Sequence, residues 1–159
     1  MTWDEYFMQM VYFIAARSKD EQTHYGAVIV QPDNSIISTG YNSFPQGVDD
    51  NVLERQERPL KYSWMAHAER NAIYLSARNG NSTRGCRVYT NGTPCSDCGI
   101  AIVQAGIVEV ITDKEWNNKS PEKWRESGKI SLQMFKEVGI KYREITIECP
   151  CKYMRGKWI

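Results

Sequence analysis

A strand, a helix and a second strand follow one another between Arg87 and Thr112 with almost no chain to spare between them. Arg87 to Thr90 is a short β-prone run, Cys95 to Ala105 reads as a helix ended by Gly106, and Val108 to Thr112 is β-prone again. Two strands joined through a helix in this way run parallel, with the right-handed crossover that nearly all such units adopt. The unit points to an α/β layer fold.

The rest of the sequence builds around it. Trp3, Tyr6, Phe7, Met10, Val11 and Ile14 recur at the spacing of an amphipathic helix, and Thr2 with Glu5 forms a capping box at its start. Ala27 to Val30 and Ser35 to Thr39 are joined through Pro32-Asp33-Asn34, the signature of an antiparallel hairpin. From Phe44 to Tyr62 the chain turns polar, a long and partly helical excursion of the kind that serves function more often than not. A helix is expected from about Ala66 to Arg78, stopping at Asn79-Gly80. Another should open with Ser120 as cap and Pro121 in its first turn and end at Gly139, with Gly128 as a weak point inside it. Lys141 to Ile147 reads as the last strand. The order α-β-β-α-β-α-β-α-β predicts a three-layer α-β-α fold on a mixed five-stranded sheet, one domain spanning residues 1–159.

Composition narrows the partners. Twenty Lys and Arg stand against 19 Asp and Glu, mixed along the chain, so no basic stripe for nucleic acid is expected. The apolar stretch Tyr6 to Ala16 is shorter than the roughly 20 residues of a membrane span and follows Asp4 and Glu5, where a secretory leader carries positive charge. No membrane association and a cytoplasmic location are therefore expected. Five cysteines, odd in number and unevenly spaced, suit a reducing compartment and point to metal or catalytic use.

The chemistry concentrates in His67-Ala68-Glu69 and Pro94-Cys95-Ser96-Asp97-Cys98. Cys95 and Cys98, at i and i+3, share one face at a helix start, where the helix dipole favours the thiolates that bind metal. His67 from the neighbouring helix completes a Cys2His set. Three protein ligands leave the fourth tetrahedral position of Zn2+ open for water, the catalytic arrangement. Glu69 is about 200° around the helix from His67, so the two converge only at the helix end. There Glu69 supplies the proton-accepting carboxylate that a thiolate-rich zinc site needs. A closed structural zinc would require Cys86, Cys149, Cys151 or His24 as a fourth ligand. The Cys149-Pro150-Cys151 spacing suits chelation poorly and reads as a strand end with two buried thiols, and His24 reads as a surface residue. The tail Lys152, Tyr153, Arg155, Lys157 and Trp158 reads as a solvated end.

His-x-Glu followed by Pro-Cys-x-x-Cys is the signature of the zinc-dependent nucleobase deaminases. Within that cytidine deaminase-like superfamily the chain resembles the deoxycytidylate (dCMP) deaminases over nearly its whole length. The likeness runs through Gly26 to Val30, Gly40-Tyr41-Asn42-Ser43-Phe44-Pro45, His67 to Ile73, Pro94 to Cys98, and Gln104 to Ile107. Free cytidine deaminases usually carry cysteine where His67 stands; riboflavin-precursor deaminases and deaminases of a base in nucleic acid are the alternatives.

The resemblance implies hydrolytic deamination of dCMP to dUMP and ammonia, supplying dUMP for thymidylate synthesis, with Glu69 moving the proton from water to the ring N3 and then to the leaving amine. It also implies that the main-chain N–H of Ala68 holds the pyrimidine carbonyl and that Asn42 contacts substrate, the alternative for Asn42 being an Asx turn. A homo-hexamer activated by dCTP and inhibited by dTTP follows by the same resemblance, with effector contacts at Gly40, Tyr41 and Phe44. Ser43 stands where glycine is frequent in the family. Arg17, Lys19, Arg70 and Arg78 are the candidate cations for the substrate phosphate, and Trp116 either stacks on the base or packs in the core.

Overall fold

The computed structural model of the chain describes residues 1–148, and the backbone of 153–154 and 157–158. The Cys149-Pro150-Cys151 segment and the side chains of the basic, aromatic tail lie outside the described residues.

The first helix, α1 (Trp3–Ala15), opens as the capping box requires: the Thr2 hydroxyl accepts from the Glu5 N–H, and the Glu5 carboxylate accepts from the Thr2 N–H at 2.6 Å. Strands β1 (Gly26–Val30) and β2 (Ile36–Tyr41) form the antiparallel hairpin. After the polar excursion, which holds a short 3-10 turn at Leu53–Gln56 and the one-turn helix α2 (Lys61–Trp64), come α3 (Ala68–Arg78), β3 (Arg87–Thr90), α4 (Ser96–Gln104) and β4 (Glu109–Asp113). The described chain continues with α5 (Lys114–Lys119), α6 (Glu122–Val138) and β5 (Lys141–Ile145), then a separate two-stranded pair, β6 (Tyr153–Met154) and β7 (Lys157–Trp158).

The main sheet has the order β2-β1-β3-β4-β5. β1 is antiparallel to both neighbours, whereas β3, β4 and β5 run parallel, so the sheet is mixed and five-stranded as the sequence implies. Strand alternation sorts the core into two halves. Val28, Val30, Tyr89 and Ile111 face Phe7, Met8, Val11 and Tyr12 of α1. Ala27, Ile29, Val88 and Val110 face Ala68 and Ala72 of α3, Ile102 of α4 and Phe135 of α6. Each fully buried Val, Ile, Met or Phe side chain among these contributes about 2 kcal/mol by leaving water.

Three expectations change. Residues 114–119 form a helix because the Asp113 side chain caps it, accepting from the Glu115 N–H at 2.9 Å. Ser120 therefore closes α5, donating its hydroxyl to the Trp116 carbonyl, and Pro121 takes the cap position of α6. α6 passes unbroken through Gly128, where a Cβ would come within 2.9 Å of Thr93 Cγ2; the glycine is a contact, and the helix needs no break there. β5 ends at Ile145, short of the expected Ile147, which leaves the ladder and buries itself in the α1 half of the core.

Candidate active site

Two helix N-termini meet at the parallel end of the sheet. His67 is the cap residue of α3 and Cys95 the cap residue of α4, both in extended backbone, so their side chains precede the helices and turn toward each other. His67 is held from behind by a bridge between Ala66 and Ser43, whose N–H and carbonyl groups pair at 2.9 and 3.1 Å. Asn71 ties the same corner, donating to the Tyr41 carbonyl at 2.8 Å and to Ser43 Oγ at 3.2 Å. Helix α6 braces the other side: Ser131 Oγ donates to the Cys95 carbonyl at 2.8 Å, and the Ser96 N–H donates to Ser127 Oγ at 2.9 Å.

The result is a compact donor set. His67 Nδ1 lies 3.3 Å from Cys95 Sγ and 3.5 Å from Cys98 Sγ, and the three ligand atoms fall within 4.8 Å of one another. The neighbouring Cys98 thiol and then His67 draw the Cys95 thiol down to about 4 against the opposing effect of burial. Hydrogen bonding to Cys95, burial and the Glu69 carboxylate push Cys98 well above its ordinary value. Two sulfurs with one imidazole are the ligands zinc prefers. The residues present fit Zn2+. His67, Cys95 and Cys98 are placed to hold it.

Glu69 is 4% exposed, and its Oε2 accepts from the Cys98 thiol at 3.5 Å. Burial pushes this carboxyl up, with His67 opposing. A raised carboxyl beside the metal ligands can take a proton and give it back.

His67, Glu69 and Cys95 form the buried end of a cavity of about 590 Å³. Tyr25, Asn42, Met65 and Thr93 line its walls, and Arg58, Tyr62, Lys123 and Trp124 its exposed mouth. Burial pushes the Tyr25 phenol up to about 12, so it stays a neutral hydroxyl. Trp124 meets His67 edge-on at 5.7 Å and Tyr62 at 6.2 Å. Lys123 Nζ stands 4.3 Å from the Tyr62 ring centre, and the Arg58 guanidinium 5.9 Å from it.

Several expected site residues sit elsewhere. Trp116 is fully buried, packed on Tyr12 and edge-on against Tyr25 at 5.2 Å, so it backs the cavity wall and does not reach a base. The aromatic surface at the cavity is Trp124 and Tyr62. Arg17, Lys19, Arg70 and Arg78 are not among its lining residues: Lys19 pairs with Asp50, Arg78 bonds Gln46, and Arg70 lies beside Cys98. The cations there are Arg58, Lys61 and Lys123. Ala68 is the first helical residue of α3, with the free main-chain N–H of that position. Asn42 lines the cavity but is 5% exposed and makes no simple Asx turn; its amide is bonded to Asp20, Thr23 and Tyr25 of the loop that leads into β1. Gly40 and Phe44 are buried, and of the three effector candidates only Tyr41 is half-exposed. His24 is half-buried, not a surface residue, and Cys86 is a free thiol in the second half of the core. Among the described residues, none beyond His67, Cys95 and Cys98 joins the metal group.

Arg58 and Tyr62 belong to the excursion whose length and polarity mark it out in the sequence, but nothing in the pattern says which of its side chains turn inward. Lys123 and Trp124 follow Pro121 in the first turn of α6, and only the placement of α5 brings them to the mouth.

Comparison with known proteins agrees with this geometry. The cytidine and deoxycytidylate deaminase zinc-binding region matches residues 1–114. The chain is 34% identical over 154 residues to the deoxycytidylate deaminase of Homo sapiens, covering 94% of this chain and 83% of the human protein. It is 36% identical over 155 residues to that of Mus musculus, covering 93% and 86%. Its fold superposes on a dCMP deaminase of the cyanophage S-TIM5, solved in complex with dCMP and dUMP, with a TM-score of 0.71 at 23% identity, over 89% of this chain and 95% of that one. Matched over most of its length, the chain belongs to the cytidine and deoxycytidylate deaminase family and is a zinc-dependent deaminase.

Proposed function

We propose that the protein hydrolyses dCMP to dUMP and ammonia. The observation that carries the reading is a buried carboxyl, Glu69, beside a His-Cys-Cys metal site, at the closed end of a cavity whose mouth holds exposed Arg58 and Lys123. A nucleotide fills such a cavity with its base inward and its phosphate outward. The curated relatives named deoxycytidylate deaminase support the same substrate.

Zinc bound by His67, Cys95 and Cys98 supplies a Lewis acid that makes water nucleophilic at neutral pH. Glu69 accepts the proton that water loses as it adds to C4 and delivers it to N3; it then takes the proton of the new C4 hydroxyl and passes it to the departing amine, so that the C4 carbonyl forms and ammonia leaves. The Ala68 N–H donates to the pyrimidine carbonyl from the first turn of α3, where no intrahelical acceptor competes. Asn42 contacts the sugar. Trp124 and Tyr62 cover the base and limit water, and Arg58 with Lys123 neutralises the phosphate.

The reading extends to supply of dUMP for thymidylate synthesis, activation by dCTP and inhibition by dTTP, and a cytoplasmic homo-hexamer. Family resemblance supports these, with half-exposed Tyr41 and exposed Gln46, Gly47 and Asp49 in the region open to an effector. Among the described residues no helix is long and apolar enough to cross a membrane. Parallel assays of the zinc-loaded protein on dCMP, CMP and deoxycytidine, with and without dCTP or dTTP, test the reading. Turnover of dCMP well above the other two supports it, and silence on all three overturns it.

A further inference from the structure

One wall of the cavity contains a buried ion pair that the chemistry above does not use. Lys61 Nζ lies 2.6 Å from Asp20 Oδ1, and the two side chains are only 7% and 5% exposed. Lys61 comes from α2, Asp20 from the loop after α1, and both line the cavity with Thr23 and Asn42. Such a pair is a poor source of stability, because removing two charges from water offsets most of their attraction. Its contacts show what it fixes.

The Asp20 carboxylate accepts four hydrogen bonds. Its Oδ1 accepts from the Gln22 N–H at 2.8 Å and the Thr23 N–H at 3.2 Å as well as from Lys61, and its Oδ2 accepts from Asn42 Nδ2 at 3.1 Å. Asn42 Nδ2 also donates to the Thr23 carbonyl at 2.9 Å, while its Oδ1 accepts from the Tyr25 N–H at 2.7 Å. Both amide protons are spent, and the capacity left to Asn42 is one acceptor lone pair on Oδ1. Turning the amide over would aim its oxygen at Asp20 and the Thr23 carbonyl, and its NH2 at the Tyr25 N–H. Every one of those contacts would set like against like.

We propose that Asp20 and Lys61 are positioning residues that lock the polarity of the Asn42 amide, so that this wall presents an acceptor and selects a ligand carrying a sugar hydroxyl. The inference rests on the dCMP reading above. A buried acceptor left without its donor rejects an analogue lacking the hydroxyl.

The test compares kcat and KM of the zinc-loaded enzyme for dCMP and for 2′,3′-dideoxycytidine monophosphate. Wild type should prefer dCMP by about tenfold or more in kcat/KM. The Asp20→Asn, Lys61→Met double variant, which leaves no lone buried charge, should lose that preference through a higher KM for dCMP, with the dideoxy substrate changed by less than about twofold. Lys61→Arg keeps the pair and should keep the preference. Asp20→Asn with Lys61→Gln, which also leaves no lone buried charge, is the second variant if the first does not fold. An equal loss on both substrates, or an unchanged preference, overturns the proposal, as does a wild-type preference below about twofold. Wild-type silence on dCMP itself is a different result, and it removes the substrate reading.

Discussion

Gly40 of β2 lies directly against Ala68 of α3: a Cβ at Gly40 would overlap the Ala68 carbonyl oxygen and come within 3.0 Å of Ala72 Cα. The contact is backbone to backbone, so no side chain can swing away to relieve it. Because α3 begins at the metal site, pushing it off β2 moves His67 and Glu69 together. Gly40→Ala should cost about 3 kcal/mol of stability and weaken zinc binding, read by thermal unfolding and by zinc titration of the same protein. Wild-type values in both would show that the helix is not pinned there.

Arg58 and Lys123 reach the cavity mouth from different segments and flank Tyr62. Replacing either with Met should raise KM for dCMP by about tenfold with kcat little changed, the loss of one charge-assisted hydrogen bond to phosphate. Deoxycytidine, which has no phosphate, should be unaffected. Steady-state kinetics on the two substrates separate this role from a general disturbance of the site.

Asp4 anchors α1 to β5. The Arg143 guanidinium grips its carboxylate at 2.7 and 3.1 Å, and the Tyr89 hydroxyl donates to it at 2.7 Å. Arg143 first, against burial and with help from Tyr89, holds Asp4 below its ordinary value of 3.8. A carboxyl depressed in the folded state stabilises fully above its unfolded value, and the contribution is lost as pH falls through the folded one. Asp4→Asn should therefore lower the stability read by urea unfolding near pH 6, by about 1 kcal/mol or less for so exposed a pair, and the gap to wild type should narrow as pH falls below the ordinary carboxyl value of 3.8.

The sheet and the metal ligands were legible because they rest on local rules. The β3-α4-β4 unit and the capping box need only neighbouring residues, and His67, Cys95 and Cys98 declare themselves by their place at helix starts. The cavity mouth was not legible, since it depends on which side of a tertiary seam a residue falls. Trp116 follows a strand end, where a residue can stack on a base, but the Asp113 cap winds it into α5 and turns it under Tyr25; Trp124, one element later, is half-exposed at the cavity mouth. Gly40 enters the sequence reading only through the family resemblance, as an effector contact, and only the approach of α3 shows that it is a packing surface.

The central claim is that Glu69 moves the proton while His67, Cys95 and Cys98 hold the metal. Glu69→Gln keeps the volume and removes the base, so the measurement is zinc content and dCMP turnover on that variant beside wild type. The account predicts unchanged zinc with kcat lower by about a thousandfold. Retained zinc with near-wild-type turnover would contradict it.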